Sequence, residues 1–312
     1  MAQATGANAR FSFVQESTWG TTPGSPSMKL LKAAGYGESL GAEIELLKSN
    51  AINSNRSVEI VRGGNIKVKG GIPLEVAALG LGTILKNALG TNVTTGAGPY
   101  VHTMKRGALP AGMSIEKGFV DLAQYFVFTG SKINALNLSI PNNGLVTGSL
   151  DVIAKQMSAP SGTSLGTPTA TTHVPFTEWE AVCKEGGSVA TFLNMNLSIT
   201  NNLDAVEALG SRYIASLMET KGEVTGEVTL MFDSVTVMNK WLNETSSSLQ
   251  VTLTNAANSF DVLVPNIRYI GDATPKIQSE KGVVLPLKFQ GIYDSVTGTD
   301  IQFTLTNTET TA

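Results

Sequence analysis

Apolar residues at Ile66, Val68, Ile72, Leu74 and Val76 are separated by polar or small ones. That is the period of two of a half-buried β-strand, whose successive side chains leave opposite faces. Gly70 and Gly71 break the alternation and predict a bend or bulge there. A second stretch, Val224, Gly226, Val228, Leu230 and Phe232, reads the same way. After each stretch the period lengthens. Phe232, Val235, Met238, Trp241 and Leu242 recur at helical spacing, as do Val76, Leu79 and, less regularly, Leu85, Ala88 and Leu89. Each stretch predicts a strand running into a short helix, with Asp233 and Ser234 placed to cap the second helix and Gly90 to close the first.

The two stretches superpose without a gap. Residues 56–87 lie over 212–243 at a constant offset of 156 positions, with identities at Arg56/Arg212, Val68/Val224, Gly70/Gly226, Leu74/Leu230 and Asn87/Asn243. Apolar character persists at Val58/Ile214, Val61/Leu217, Ile72/Val228, Val76/Phe232, Leu79/Val235, Leu81/Val237 and Leu85/Trp241. A fixed offset that preserves a buried face points to a duplicated unit. Its expected core positions are Val68, Leu74, Leu79 and Leu85 in the first copy, and Val224, Leu230, Val235 and Trp241 in the second.

Further strands are expected at 125–128, 132–140 and 145–153, and at 249–253, 260–264 and 283–293. The run Pro141-Asn142-Asn143-Gly144 supplies a hairpin turn. Residues 156–173, rich in Ser, Thr, Pro and Gly, read as an exposed linker or long loop. The chain thus divides into a first domain, 1–155, that linker, and a second domain, 174–312. The fold class is mainly β, two related β-barrel or sandwich domains each with a short flanking α-helix. The polar termini, 1–10 and 307–312, are expected to be loose unless a neighbour holds them.

Composition narrows what such a chain does. It has 312 residues, 42% of them hydrophobic and 15% charged, and 32 are glycine. The charged fraction is low for a soluble monomer, so Ser, Thr and Asn supply much of the polar surface. A net charge of −3 lacks the basic footprint of a protein that grips phosphates. The single cysteine, Cys183, excludes an intrachain disulfide framework and fits synthesis in a reducing cytoplasm. The start, 1–11, has neither a basic cluster nor an apolar run and does not read as a secretory signal. The most apolar segment, 72–89, carries Glu75 and Lys86 and reads as a packed helix rather than a membrane span.

Candidate chemistry is sparse. His102 and His173 have no metal-ligand neighbours in sequence, and no catalytic triad, metal site or cofactor is expected. Glu43 and Glu45 point to one side of a strand; an acid/base pair is conceivable, but a solvated acidic strand is the plainer reading. The pairs Gly35/Gly37, Gly80/Gly82 and Gly96/Gly98 lack the strand-to-helix context of a phosphate loop. Asn-x-Ser/Thr triplets at Asn55, Asn92, Asn137, Asn196 and Asn243 follow from a composition rich in those residues.

The segment Glu16-Ser17-Thr18-Trp19-Gly20-Thr21-Thr22-Pro23 resembles the opening of the tail tube proteins of long-tailed bacteriophages. Residues 125–136 and the return strand 144–151 are similar to that family's paired core strands, as are 198–202, 209–211 and 224–229. The resemblance implies a structural, non-enzymatic virion protein, assembled in the host cytoplasm into stacked rings that conduct DNA. Members with one tube domain form hexameric rings, so two domains imply a homotrimer with pseudo-sixfold symmetry, with a hexamer as the alternative. The implied partners are further copies of the chain, a tape measure protein, a tail terminator and DNA in transit without specific binding. No membrane insertion is implied. Glu43, Glu45, Glu223 and Glu227 are the candidate lumen-facing acids, and 45–64 and 204–221 the candidate loops reaching an adjacent ring. A tail terminator or contractile-tail inner tube would read alike. A secreted β-sandwich binding module is the alternative from another class.

Overall fold

A computed structural model describes residues 3–34, 37–52, 54, 56–277, 280 and 282–311; Gly35 and Asn55, named above, lie outside these. The first half contains β1 (Ala9–Gln15), β2 (Lys29–Leu31), β3 (Gly41–Lys48), β4 (Val61–Glu75), α1 (Gly82–Leu89), β5 (Val93–Thr95), β6 (Tyr100–Lys105), β7 (Met113–Phe119), β8 (Gln124–Ile140), β9 (Thr147–Ala154) and β10 (Gln156–Met157). The second contains β11 (Ala181–Glu185), β12 (Ser188–Val189), β13 (Phe192–Thr200), β14 (Asp204–Val206), β15 (Ser216–Met218), β16 (Glu223–Met231), α2 (Thr236–Leu242), β17 (Ser247–Asn255), β18 (Asn258–Ile270), β19 (Val284–Gly291) and β20 (Gln302–Asn307).

All strand pairs are antiparallel, and their order recurs. In the first half β3, β4, β9 and β8 pair in that sequence. In the second, β13, β16, β19 and β18 do. A second layer runs β10, β8, β7, β1, matched by β20, β18, β17, β11. The long strands β8 and β18 each pass from one layer to the other, which a bulge permits by bending the strand. In β8 the register shifts between Met113↔Ser131 and Ile115↔Phe128. In β18 it shifts between Ser247↔Ile267 and Leu249↔Val264. The halves are joined by two further ladders, β8 beside β13 and β6 beside β20.

The core lies between the layers and is continuous through both halves; Phe13, Ile72, Phe128, Phe260, Phe289 and Phe303 are among its fully buried side chains. Of the expected core positions, Val68, Leu74, Leu85, Val224 and Leu230 are buried, and Leu79 and Trp241 are half-buried. Val235 is 52% exposed, because it precedes α2, whose residues are nowhere fully buried.

Other expectations need adjustment. The mainly-β sandwich character holds, and no closed barrel forms among the described residues. The ladder between β4 and β9 runs unbroken through Gly70 and Gly71, and the shift falls instead between Ile44 and Leu46 of β3. The need for glycine at 70 is space: a Cβ there would lie 2.2 Å from the Ser39 carbonyl oxygen. Residues 72–89 are not one helix but the end of β4, a turn, and α1; no helix among the described residues is long and apolar enough to cross a membrane. Gly90 closes α1 as expected, donating its N–H to the Lys86 carbonyl. No side chain caps α2 at Val235; Ser234 Oγ only accepts a long bond, 3.4 Å, from Thr236 N–H. The stretch 156–173 begins as β10 and is tied down further on, by Tyr125 to Ser161 and by Leu30 to Thr169.

Candidate functional site

The eight strands β3-β4-β9-β8-β13-β16-β19-β18 form one continuous run through the β8–β13 ladder. One face is apolar and packed, with Val68, Leu150, Leu136, Leu197 and Val228 buried. The alternate positions supply the other face, and they are polar. Asn137, Ser139, Ser149, Asn196, Ser198 and Thr225 line a groove of about 550 Å³ there, with Glu227 and Lys288 beside them. Hydrogen bonds run across the strands: Asn137 Nδ2 donates to Ser149 Oγ at 3.2 Å, and Ser139 Oγ donates to Asn196 Oδ1 at 2.7 Å. Short hydroxyl and amide side chains satisfy one another here.

The four candidate acids lie along this run. Glu223 and Glu227, four residues apart in β16, share a face. Glu43 stands opposite Lys67 in the ladder and lines a shallow site with Lys67, Lys69 and Asp151. Glu45 forms an ion pair with Lys67, and the hydrogen bond and charge of Glu45 raise the Lys67 ammonium above its ordinary value. Glu227 stands opposite Asn196 on one side and Lys288 on the other. The face is therefore mixed in charge rather than acidic, because basic residues occupy cross-strand positions that a strand-by-strand reading does not align.

Glu45, one half of the conceivable acid/base pair with Glu43, is held by Lys67. His102 is fully buried, its ring held by Thr94, Asn307 and the Glu309 carbonyl. His173 meets Glu75 at 3.1 Å. Burial pushes the Cys183 thiol up to about 11, which makes it a poor nucleophile. Among the described residues no His/Cys/Asp/Glu group is arranged to hold a metal. The sequence also contains one Gly-x-Ser-x-Gly run, 162–166. Its Ser164 sits in a loop, not on a strand-to-helix turn, and its hydroxyl donates to Glu116 at 2.8 Å.

The residues that carried the family resemblance have a structural task. Glu16, 3% exposed, accepts hydrogen bonds from Gly20 N–H at 2.6 Å, Ser114 Oγ at 2.7 Å and Gly130 N–H at 2.8 Å. Trp19 Nε1 donates to the Gly130 carbonyl at 2.9 Å. The motif thus pins the segment after β1 to the bend of β8, where the strand changes layers.

No curated protein matches the chain by sequence comparison. A family model described as phage tail tube protein matches residues 6–291, nearly the whole chain. The chain belongs to the phage tail tube protein family.

Proposed function

We propose that this chain is built from two copies of one tube domain, and that three chains close into a ring whose stacked repeats form a channel for DNA. The observation that carries the reading is the β8–β13 ladder. It joins two four-strand sets of the same order within one chain, from Ala135↔Thr200 to Ile140↔Met195. The outer edge of β3 and the end of β18 have no strand beside them among the described residues. Open edges favour pairing with another chain. If the end of β18 meets the β3 side of the next copy as β8 meets β13, both open ends of the eight-strand run are used, and a heterologous contact whose rotation closes makes a ring. Three copies then supply six sets, and the polar face of the run lines the lumen.

A lumen of Asn, Ser and Thr with balanced charge suits conduction. Each phosphate neutralised by Lys or Arg adds salt-dependent affinity, which would hold the DNA. On this reading Glu43, Glu45, Glu223 and Glu227 offset Lys67, Lys69 and Lys288 along the channel. The tape measure protein and the tail terminator are the other partners.

Negative-stain microscopy of purified protein tests this. Long open tubes with threefold chain symmetry are expected. Sixfold chain symmetry would replace the trimer by the hexamer, and discrete single rings would point to a terminator. A monomer persisting at high concentration in sedimentation would overturn polymerisation itself.

A further inference from the structure

The hairpin made by β14 and β15 corresponds strand for strand to the distal part of β3 and β4. The pair Ala205↔Leu217 occupies the place of Lys48↔Val61, at the same offsets that relate β13 to β3 and β16 to β4. Leu203, Ile214 and Leu217 of the second arm thus correspond to Leu46, Val58 and Val61 of the first. Their surroundings are opposite. Leu203, Ile214 and Leu217 are 9%, 7% and 8% exposed, packed on Trp19, Leu109 and Ile153 of the first half. Leu46, Val58 and Val61 are 61%, 56% and 50% exposed. Arg212 anchors the second arm on β4: its carbonyl accepts from Ile66 N–H at 2.7 Å, and its Nε donates to the Gly64 carbonyl at 2.9 Å. The corresponding residue of the first arm, Arg56, is exposed.

The surface of the second half that corresponds to the arm's seat carries no arm of its own chain; Arg106 lies against Gly222 and donates to the Glu223 carbonyl at its edge. Gly222 stands in the place of Ile66, Gln290 in that of Ile153 and Ile292 in that of Lys155. With Glu223 and Tyr293 they line a cavity of about 640 Å³. Tyr293 is 65% exposed and Ile292 38%.

We infer that the first arm of one copy docks into this cavity on the second half of the neighbouring copy in the same ring, with Arg56 doing in trans what Arg212 does in cis. The inference rests on the ring assembly proposed above and deepens it. Leu46, Val58 and Val61 cover Gln290, Ile292 and Tyr293, and the Arg56 guanidinium donates to the Thr220 carbonyl, the counterpart of Gly64. The cation meets the carboxylate of Glu223 at the cavity wall. Docking around the ring also distinguishes this arm from a loop that reaches only an adjacent ring.

A chain carrying Arg56→Cys and Thr220→Cys, with Cys183→Ser, tests this after treatment with a short bismaleimide. Interchain cross-links are expected, in a ladder that stops at the number of chains in a ring. A ladder that continues past that number places the arm on another ring and overturns the inference. So do tubes that form normally with no interchain link, or with links only inside one chain; polymerisation stands in both cases. Failure of the unsubstituted protein to polymerise would instead remove the ring reading. As a second readout, Val58→Asp with Val61→Asp should leave circular dichroism unchanged but raise the concentration needed for tubes at least tenfold. Unchanged assembly in that variant counts against the docking.

Discussion

The helices α1 and α2 occupy the same place in two strand orders that match, yet their surroundings differ. In α1 every residue except Lys86 is buried, and its amphipathic face is covered from more than one side. The β5–β6 hairpin, inserted between α1 and β7, contributes contacts to it, and Asn201 of the second half donates its Nδ2 to the Ala88 carbonyl at 2.9 Å. In α2 no residue is fully buried, and only a short turn separates it from β17. A similar apolar spacing thus makes a core helix where neighbours are present and a half-covered helix where they are not. Helix burial is set by what packs on it more than by its own pattern.

Substitution at the corresponding positions Leu85 and Trp241 breaks this comparison most sharply. Leu85 is fully buried, so Leu85→Ala should cost about 2–5 kcal/mol through lost burial and a residual cavity. Trp241 is only half-buried, and Trp241→Ala should cost the isolated chain well under the ~3–5 kcal/mol of a fully buried tryptophan. Urea unfolding of monomeric protein measures both; equal losses would mean that α2 is as well covered as α1.

Loss of the Glu16 carboxylate comes next. Glu16→Ala leaves the Gly20 and Gly130 amides without their acceptor, and a buried unsatisfied donor costs ~1–3 kcal/mol. The expected loss, about 2–4 kcal/mol, should appear in the same titration and should loosen the first half selectively. Hydrogen exchange at the bend of β8 checks the location. Protection falling equally in β18, which has the same bulge and no Glu16, would remove the idea of a local pin.

The paired glycines give a smaller and more even effect. Gly70 and Gly226 stand at matching positions but are required by different neighbours. A Cβ at Gly70 meets the Ser39 carbonyl at 2.2 Å, whereas one at Gly226 meets the Phe289 ring at 2.4 Å and the Asn196 carbonyl at 2.5 Å. Each change to alanine should cost about 1–3 kcal/mol by overpacking. Gly70→Ala should displace the segment before β3, and Gly226→Ala should turn the Phe289 ring, a change visible in the aromatic resonances.

How far the sequence could lead is clear from these same residues. The alternation around Val68 and Val224 exposed the strands because burial of one face is written locally, every second residue. No bulge falls at Gly70: a missing side chain can mean either a bulge or a close neighbour, and only the position of Ser39 decides. The ladder between β6 and β20 joins residues some two hundred apart and has no local signature. The mixed charge of the polar face depends on register, which places Lys67 against Glu43 and Lys288 against Glu227. Glu16 is visible only as part of a family pattern, because two of its three hydrogen bonds come from the distant strands β7 and β8.

The smallest expected effect concerns the first residues of the chain. Thr5 N–H donates to Asp121 Oδ2 at 2.7 Å, and the Thr5 hydroxyl does so at 3.1 Å. These bonds, the backbone one foremost, hold the Asp121 carboxyl below its ordinary value of 3.8. A carboxyl depressed in the folded state stabilises the tether above the unfolded value, and that contribution is lost as pH falls through the depressed folded value. The N-terminal segment should therefore stay attached at neutral pH and release in acid below the ordinary carboxylate range. Both groups are exposed, so solvent screening keeps the effect on global stability small. Exchange of the Thr5 amide followed against pH measures it, and Asp121→Asn should flatten the profile by removing the titrating group. A profile unchanged in that variant would show that something other than Asp121 holds the segment, and the first half would then keep its terminus by packing alone.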